Sequence, residues 1–380
     1  MHGRIMQALD GPGAGSRSPS VAIVHDYLTQ RGGAERVVLA MARAFPAAPI
    51  YTALYEPTAT FPEFADLDVR PMWTNRIRSL RRDHRKGLPL YPLAFSGLKI
   101  DSDVVLCSSS GFAHGVRTTG RKIVYCYTPA RWLYDQADTY LARWPATVRG
   151  ALRVAGPKLR TWDRQAMAGA DQVLTSSTAV ANRIRSAYCA EATVLPPPAG
   201  LDVDGAQCAV PGVEPGFVLS VGRLLAYKNV DVIVAAMTLS PEARLVIVGD
   251  GPELGRLETL AGTNVTFLGE VADAELRWLY SSCAGVASAA YEDFGLTPLE
   301  AASWGKAVAA LRFGGFLDTV VEGETGVFFD EPTPRLAAMA LRRLVDGAWD
   351  HGRIVAHADT FREQAFRARL RAVLSEMTAR

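Results

Sequence analysis

The stretch VLPPPAGLDVDG, residues 194–205, constrains the fold more than any other. Three consecutive prolines followed by glycine and aspartate continue neither a helix nor an inner strand. Whatever forms on one side therefore forms apart from the other, with a linker between them. Both sides use the same alphabet. Before the linker, VAIVHDY (21–27), DVVLCSSS (103–110), KIVYCYT (122–128) and QVLTSS (172–177) are short apolar runs closed by small polar residues. After it come GFVLSVGRL (216–224), ARLVIVGDGP (243–252), VTFLGEV (265–271) and AGVASAAY (284–291). Helical patterns separate them at 230–239, 252–261 and 273–281. Apolar runs of this length read as buried parallel strands. Strand and helix in alternation predict a doubly wound α/β domain on each side, with a ligand cleft at the strands' carboxyl ends.

The bulk numbers agree. A chain of 380 residues, 49% hydrophobic and 21% charged, exceeds what one core holds. The expected division is a disordered leader over 1–20, a first Rossmann-like domain over 21–198 and a second over 205–360. A basic amphipathic helix over 361–380 is expected to return to the first domain. The leader has no long apolar core and is not read as a signal peptide. No run of eighteen apolar residues occurs to span a membrane. The five cysteines are scattered without a CxxC pair, which argues against zinc or a disulfide framework and for a reducing cytosol. The net charge of +2 hides an asymmetry. Residues 1–199 hold 25 Lys and Arg against 15 Asp and Glu, and the remainder holds 16 against 24. The first half therefore faces something anionic.

Three motifs carry chemistry. In SVGRLLAYKNVD (220–231), Arg223 and Lys228 follow the end of a strand, five residues apart. A guanidinium fork and a point charge suit a diphosphate. In GDGP (249–252), Gly249 and Gly251 permit close backbone approach, either of a ligand or of the turn's own neighbours. In YEDFGLTPLEA (291–301), Glu292 and Glu300 flank a glycine turn. Thr297 and Pro298 predict an N-cap and first helical residue there. Amides of Phe294, Gly295, Leu296 and Thr297 would form an anion cup, with a carboxylate on either side to hold hydroxyls. An anion between two hydroxylated groups describes a nucleotide sugar.

Together these motifs resemble the GT-B retaining glycosyltransferases of family 4, over nearly the whole chain from residue 21. The resemblance implies two Rossmann-like domains facing across a cleft. It implies that Arg223 and Lys228 bind the donor diphosphate, Glu300 the ribose hydroxyls and Glu292 the donor sugar. RGGAERV (31–37) is similar to the family's glycine loop, so Gly32 and Gly33 would approach phosphate and acceptor. HDYLTQRGGAERV, SSSGFAHGVR and YCYTPARWLYD resemble bacterial members that build O-antigen and exopolysaccharide units. The implied reaction is mannosyl transfer from GDP-mannose to a polyprenyl diphosphate-linked saccharide. One departure concerns Tyr127, which stands where the family usually has a histidine beside the sugar. A phenol donates one hydrogen bond and carries no positive charge. His25 and His114 are candidates to share that role. The readings left open are a UDP-sugar donor, a nucleotide-sugar epimerase and a nucleotide-sugar-binding protein with impaired catalysis. A dinucleotide oxidoreductase is disfavoured, since neither domain shows GxGxxG after its first strand.

No metal or cofactor is expected. DSD (101–103) imitates a metal-binding pair but precedes its strand, at the wrong end of the sheet. The segment 70–95 holds seven Lys and Arg and one acid, interleaved with Trp73, Ile77 and Leu80. With no nucleic-acid module beside it, that mixture fits docking on an anionic leaflet. It predicts a cytoplasmic protein peripheral to the inner face of the membrane, with no nucleic-acid partner.

Overall fold

The structure is a computed structural model, described here for residues 19–134, 146–200 and 203–378. The expected leader lies outside the described residues up to position 18. Two sheets organise the rest, and every strand pairing within them is parallel. Across the first sheet the strands run Val69–Pro71, Ile50–Thr52, Val21–His25, Val104–Ser109, Arg121–Cys126, Gln172–Thr175 and Thr193–Val194. Across the second they run Val265–Gly269, Leu245–Val248, Val218–Val221, Gly285–Ser288, Val308–Leu311 and Gly326–Phe329. Each sheet grows outward one way for three strands, then resumes on the other side of its first strand. That reversal leaves a crevice beside each first strand, where open sheets bind ligands.

The period-two geometry of a strand explains how both faces are filled. Ile23 and Leu106 enter one buried cluster while Ala22, Val24, Val105 and Cys107 enter the cluster on the opposite face. In the second sheet Val218 and Ile247 face one way, and Phe217, Leu219 and Val246 the other. Five of these strands lay outside the sequence expectation: Ile50–Thr52, Val69–Pro71, Thr193–Val194, Val308–Leu311 and Gly326–Phe329. The first three are two or three residues long, too short to show alternation.

The helix Glu363–Thr378 packs on the helix Gly33–Ala44. Phe366, Leu370 and Leu374, one turn apart, are buried in the first sheet's core. Full burial of each is worth roughly 1.5–3 kcal/mol. Arg371 Nε donates to the Ala44 carbonyl at 3.0 Å, and Arg43 pairs with Glu363 at 2.6 Å. The chain thus passes twice between the sheets, near residue 199 and near residue 361. The two passes are bonded to each other, Ala199 N donating to the Phe361 carbonyl at 3.2 Å.

Candidate active site

The crevice of the second sheet opens where Val218–Val221 and Gly285–Ser288 end. Gly222, at φ +152, turns the chain there as an L side chain rarely can. It delivers Arg223 and then the one-turn 3-10 helix Ala226–Lys228 into the crevice. Arg223, Lys228, Glu292, Thr297, Ser220, Ser288 and Phe316 line one pocket. Lys228 Nζ pairs directly with Glu292 Oε1. Burial, with the Arg223 and Arg131 guanidiniums nearby, pushes the Lys228 ammonium down to about 8, against the pull of Glu300. Lowered only to about 8, the ammonium keeps its proton at neutral pH.

The helix beside the pocket differs from its expected form. It runs Leu296–Ser303, and its N-cap is Gly295 in the left-handed region at φ +83. Thr297 is its second residue and caps nothing, and Pro298 is its third. Gly295 is required twice, because a Cβ there would also meet the Phe316 ring at 2.5 Å. The earlier start places the Leu296 and Thr297 amides in the first turn, where they have no intrahelical acceptor. The first-turn position expected for Glu300 shifts with it, and Glu300 falls in the second turn.

Glu300 faces the linker, near enough to Lys228 for each to feel the other's charge. It accepts from the Tyr280 hydroxyl at 2.8 Å, and a Cβ on Gly200 would lie 3.3 Å from its Oε1. Burial raises its carboxyl above the usual range, while the Tyr280 hydrogen bond, Arg36 and Lys228 draw it back. Arg36 reaches from the first domain to the Gly200 carbonyl.

Gly249 and Gly251 resolve in favour of the turn. A Cβ at Gly249 would meet the Gly222 carbonyl oxygen at 2.1 Å, and one at Gly251 the Leu224 oxygen at 2.3 Å. Leu224 N donates to the Asp250 carbonyl at 2.9 Å. The glycines let the GDGP turn lie against the loop that carries Arg223.

At the first sheet's crevice several polar groups serve one another, while His25 Nε2 and Glu35 Oε2 are buried without a hydrogen-bond partner. The buried His25 places Nδ1 at 3.2 Å from the Ser108 carbonyl, which only an N–H satisfies, and at 3.0 Å from Ser108 Oγ. Ser108 Oγ lies 2.9 Å from the Tyr127 hydroxyl, which donates to the Ala34 carbonyl at 3.1 Å. His25 Nδ1, Ser108, Tyr127 and Ala34 form one directed chain. The Tyr127 hydroxyl props the glycine loop, and burial pushes its pKa far above the ordinary phenol range. Gln30 Nε2 donates to Glu35 Oε1 at 3.1 Å, and that oxygen is 3.9 Å from His25 Nε2.

Gly32 caps the Gly33–Ala44 helix, and a Cβ there would meet Glu35 Oε2 at 2.7 Å. Gly33 faces Leu296 across the cleft, at 3.6 Å from an added Cβ to Cδ1. His114 is buried away from this chain, held by Ser109 Oγ at 2.8 Å and Asp163 Oδ1 at 2.9 Å. Asp103 receives Ser20, and Asp101 receives Thr119, so the DSD carboxylates tie loops at the strand starts.

Sequence reasoning missed the groups that cross between the domains. Arg131 and Arg183 both pair with Asp293. Ser177 Oγ donates to the Asp293 carbonyl at 2.5 Å, and Thr178 bonds Asp318 through N at 2.9 Å and Oγ1 at 2.7 Å. Arg131 and Asp293 lay inside quoted motifs and carried that much signal. Arg183, a lone arginine on a helix, carried none.

Residues 210–365 match the family model described as glycosyl transferases group 1. Among curated relatives, sulfoquinovosyl transferase SQD2 of Arabidopsis thaliana is 35% identical over 137 residues, which are 35% of this chain and 27% of that one. The chain spans about a quarter to a half of the length of the first curated relatives it matches. The solved sucrose-phosphate synthase (tll1590) of Thermosynechococcus elongatus superposes with a TM-score of 0.70 at 18% identity, covering 95% of this chain and 99% of that one. Anabaena Alr3699/HepE, solved in complex with UDP-glucose, superposes at 0.67 with 19% identity over 94% and 99%. The likeness over both domains establishes the GT-B fold that the motifs predict. The group 1 match falls on the domain that holds Arg223, Lys228 and Glu292.

Proposed function

We propose that this chain is a retaining glycosyltransferase that moves a hexose, with mannose from GDP-mannose as the leading donor, onto a lipid-linked saccharide. The observation that carries the reading is one pocket at the second sheet's crevice. It gathers Arg223, Lys228 paired with Glu292, and the start of a helix, within the stretch matching group 1 glycosyl transferases. In the proposed reaction the bond from the sugar C1 to the diphosphate oxygen breaks. An acceptor hydroxyl oxygen joins C1 on the same face, and its proton passes to the departing phosphate oxygen. Arg223, Lys228 and the Leu296 and Thr297 amides would stabilise the developing charge without a metal or cofactor. Glu292 would hold the sugar hydroxyls and Glu300 the ribose hydroxyls.

The acceptor side rests on charge. In segment 70–95, Arg70 and Arg81 are engaged with Asp68 and Glu56, leaving Arg76, Arg78, Arg82, Arg85 and Lys86 exposed. Trp73 and Leu93 are 47% and 68% exposed among them. Cations with protruding apolar side chains suit an anionic leaflet, where a polyprenyl diphosphate acceptor would reside. Among the described residues no helix is long and apolar enough to cross a membrane. The reading therefore puts the chain on the cytoplasmic face of the membrane as a peripheral protein.

A thermal-shift panel of GDP-, UDP- and ADP-sugars tests the donor, since ligand at about 100 times its Kd stabilises by ~2.7 kcal/mol. GDP-mannose is expected to give the largest shift, and a panel without any shift sinks the reading. A UDP-sugar is the second donor, favoured because HepE was solved with UDP-glucose. Cosedimentation with anionic vesicles tests the surface. Neutralising Arg82, Arg85 and Lys86 is expected to release the protein, and unchanged sedimentation removes the membrane from the proposal.

A further inference from the structure

Asp293 lies between Glu292, which holds Lys228, and Phe294, which leads into the helix beside the pocket. Its carboxylate belongs to the second domain, yet both its ion pairs come from the first. Arg131, in the loop after the strand Arg121–Cys126, takes Oδ2. Arg183, on the helix Thr178–Tyr188, takes Oδ1. Asp293 is 16% exposed and the two arginines 33% and 26%, so these pairs are shielded more than ordinary surface pairs. Ser177 Oγ also donates to the Asp293 carbonyl, which fixes the backbone of the same residue. A few residues along the chain, Thr178 grips Asp318 on the short helix led by the pocket residue Phe316. Two cations on one carboxylate leave a surplus positive charge at the pocket rim, and Arg131 is near enough for Lys228 to feel it.

We propose that Asp293, gripped by Arg131 and Arg183, is a positioning residue that locks the two domains together over the pocket and fixes the backbone from which Glu292 projects. The proposal rests on the donor-site reading above for its effect on turnover, but not for the latch itself. Each guanidinium holds one oxygen, so either pair alone leaves the carboxylate free to rotate, whereas both together set its plane. Neither arginine is assigned contact with the reacting atoms. Losing the latch leaves Arg223, Lys228 and the helix start in place, and it loosens the approach of the first domain to them.

The test uses the full chain with Asp293→Asn, Asp293→Glu and Asp293→Arg. Small-angle X-ray scattering without ligand is expected to show a radius of gyration larger by on the order of 1 Å in Asp293→Arg, with Asp293→Asn intermediate. An unchanged radius in folded variants overturns the latch. In assays with the donor found by the thermal panel, Asp293→Asn is expected to lower kcat by up to about 10²-fold while the donor Kd stays within about threefold. Asp293→Glu should restore part of kcat. A raised Kd with unchanged kcat would make Asp293 a ligand contact and overturn the proposal. If Asp293→Arg does not fold, Arg183→Met takes its place in the scattering, with an expansion no larger than that of Asp293→Asn, and an unchanged radius in both overturns the latch. A wild-type protein that neither binds nor transfers a nucleotide sugar counts against the proposed function alone, since the scattering still decides the latch.

Discussion

At the first sheet's crevice, His25, Ser108, Tyr127 and the Ala34 carbonyl satisfy one another in sequence, and Asp26 accepts from the amides of Ser110, Phe112 and Ala113. At the second sheet's crevice, reached by the same strand order, Arg223 is exposed and the Leu296 and Thr297 amides have no intrahelical acceptor. One topology therefore makes two kinds of surface. The first is a braced platform, because a directed hydrogen-bond chain resists rearrangement, although His25 Nε2 and Glu35 Oε2 at its edge are unpaired. The second keeps charge and donors in reserve for something anionic. What separates them is loop chemistry, since the strand ends are geometrically equivalent.

Changes in the second crevice should therefore act on ligand, and changes in the first domain on stability. The largest effect is expected from Glu292→Ala. Initial-rate assays should show transfer down by at least about 10²-fold, with nucleotide affinity by calorimetry within about threefold. Equal losses in both would erase the distinction between sugar and diphosphate contacts. Lys228→Met should weaken nucleotide binding roughly 10- to 100-fold, as expected for a lost charge-assisted hydrogen bond of ~1.5–3 kcal/mol. The Lys228 ammonium, lowered to about 8, is present below that pH and lost above it. Wild-type affinity should thus fall between pH 7 and pH 9, and in Lys228→Arg it should stay flat, since a guanidinium keeps its charge. Parallel pH profiles would assign the titration to another group.

How much of this was legible follows from where each constraint lies. Gly-Arg-Leu, Lys-Asn and Glu292 are local patterns just past strand ends, so the gathering of Arg223, Lys228 and Glu292 could be drawn from the chain before its coordinates. The helix start could not. Thr297 and Pro298 have the right chemistry for a cap and first residue, but Gly295 accepts a left-handed φ over the Phe316 ring and starts the turn earlier. Gly249 and Gly251 answer to carbonyls of the preceding βα loop, more than twenty residues away. Asp293 meets Arg131 and Arg183 across sequence separations of 162 and 110, where no local periodicity reports. The partners of the Tyr127 hydroxyl, Ser108 and Ala34, are likewise remote in sequence, so no local pattern reports where it points.

The first domain supplies the opposite arm of the comparison. Leu370→Ala should destabilise by ~2–5 kcal/mol in thermal or denaturant unfolding, the range for truncating a buried leucine. It should leave the nucleotide-induced shift intact. A lost shift would mean that the platform and the ligand crevice are less separate than their hydrogen bonds suggest. The smallest effect is expected from Tyr127→Phe, about 1 kcal/mol in stability with little change in donor affinity. A collapse of turnover at unchanged stability would return this hydroxyl to the reaction.

The two adjacent passes of the chain near residues 199 and 361 also set an order of assembly. The second domain is contiguous between them, so its core is complete in the nascent chain as soon as its own residues have emerged. The first domain is not. Its core takes Phe366, Leu370 and Leu374 from a helix made only after the whole second domain. At ~5–20 residues per second, synthesis of the intervening stretch takes on the order of ten seconds. Throughout that interval the side of the Gly33–Ala44 helix that meets Phe366, Leu370 and Leu374 lacks its cover, so the first domain's core is the later of the two to be completed.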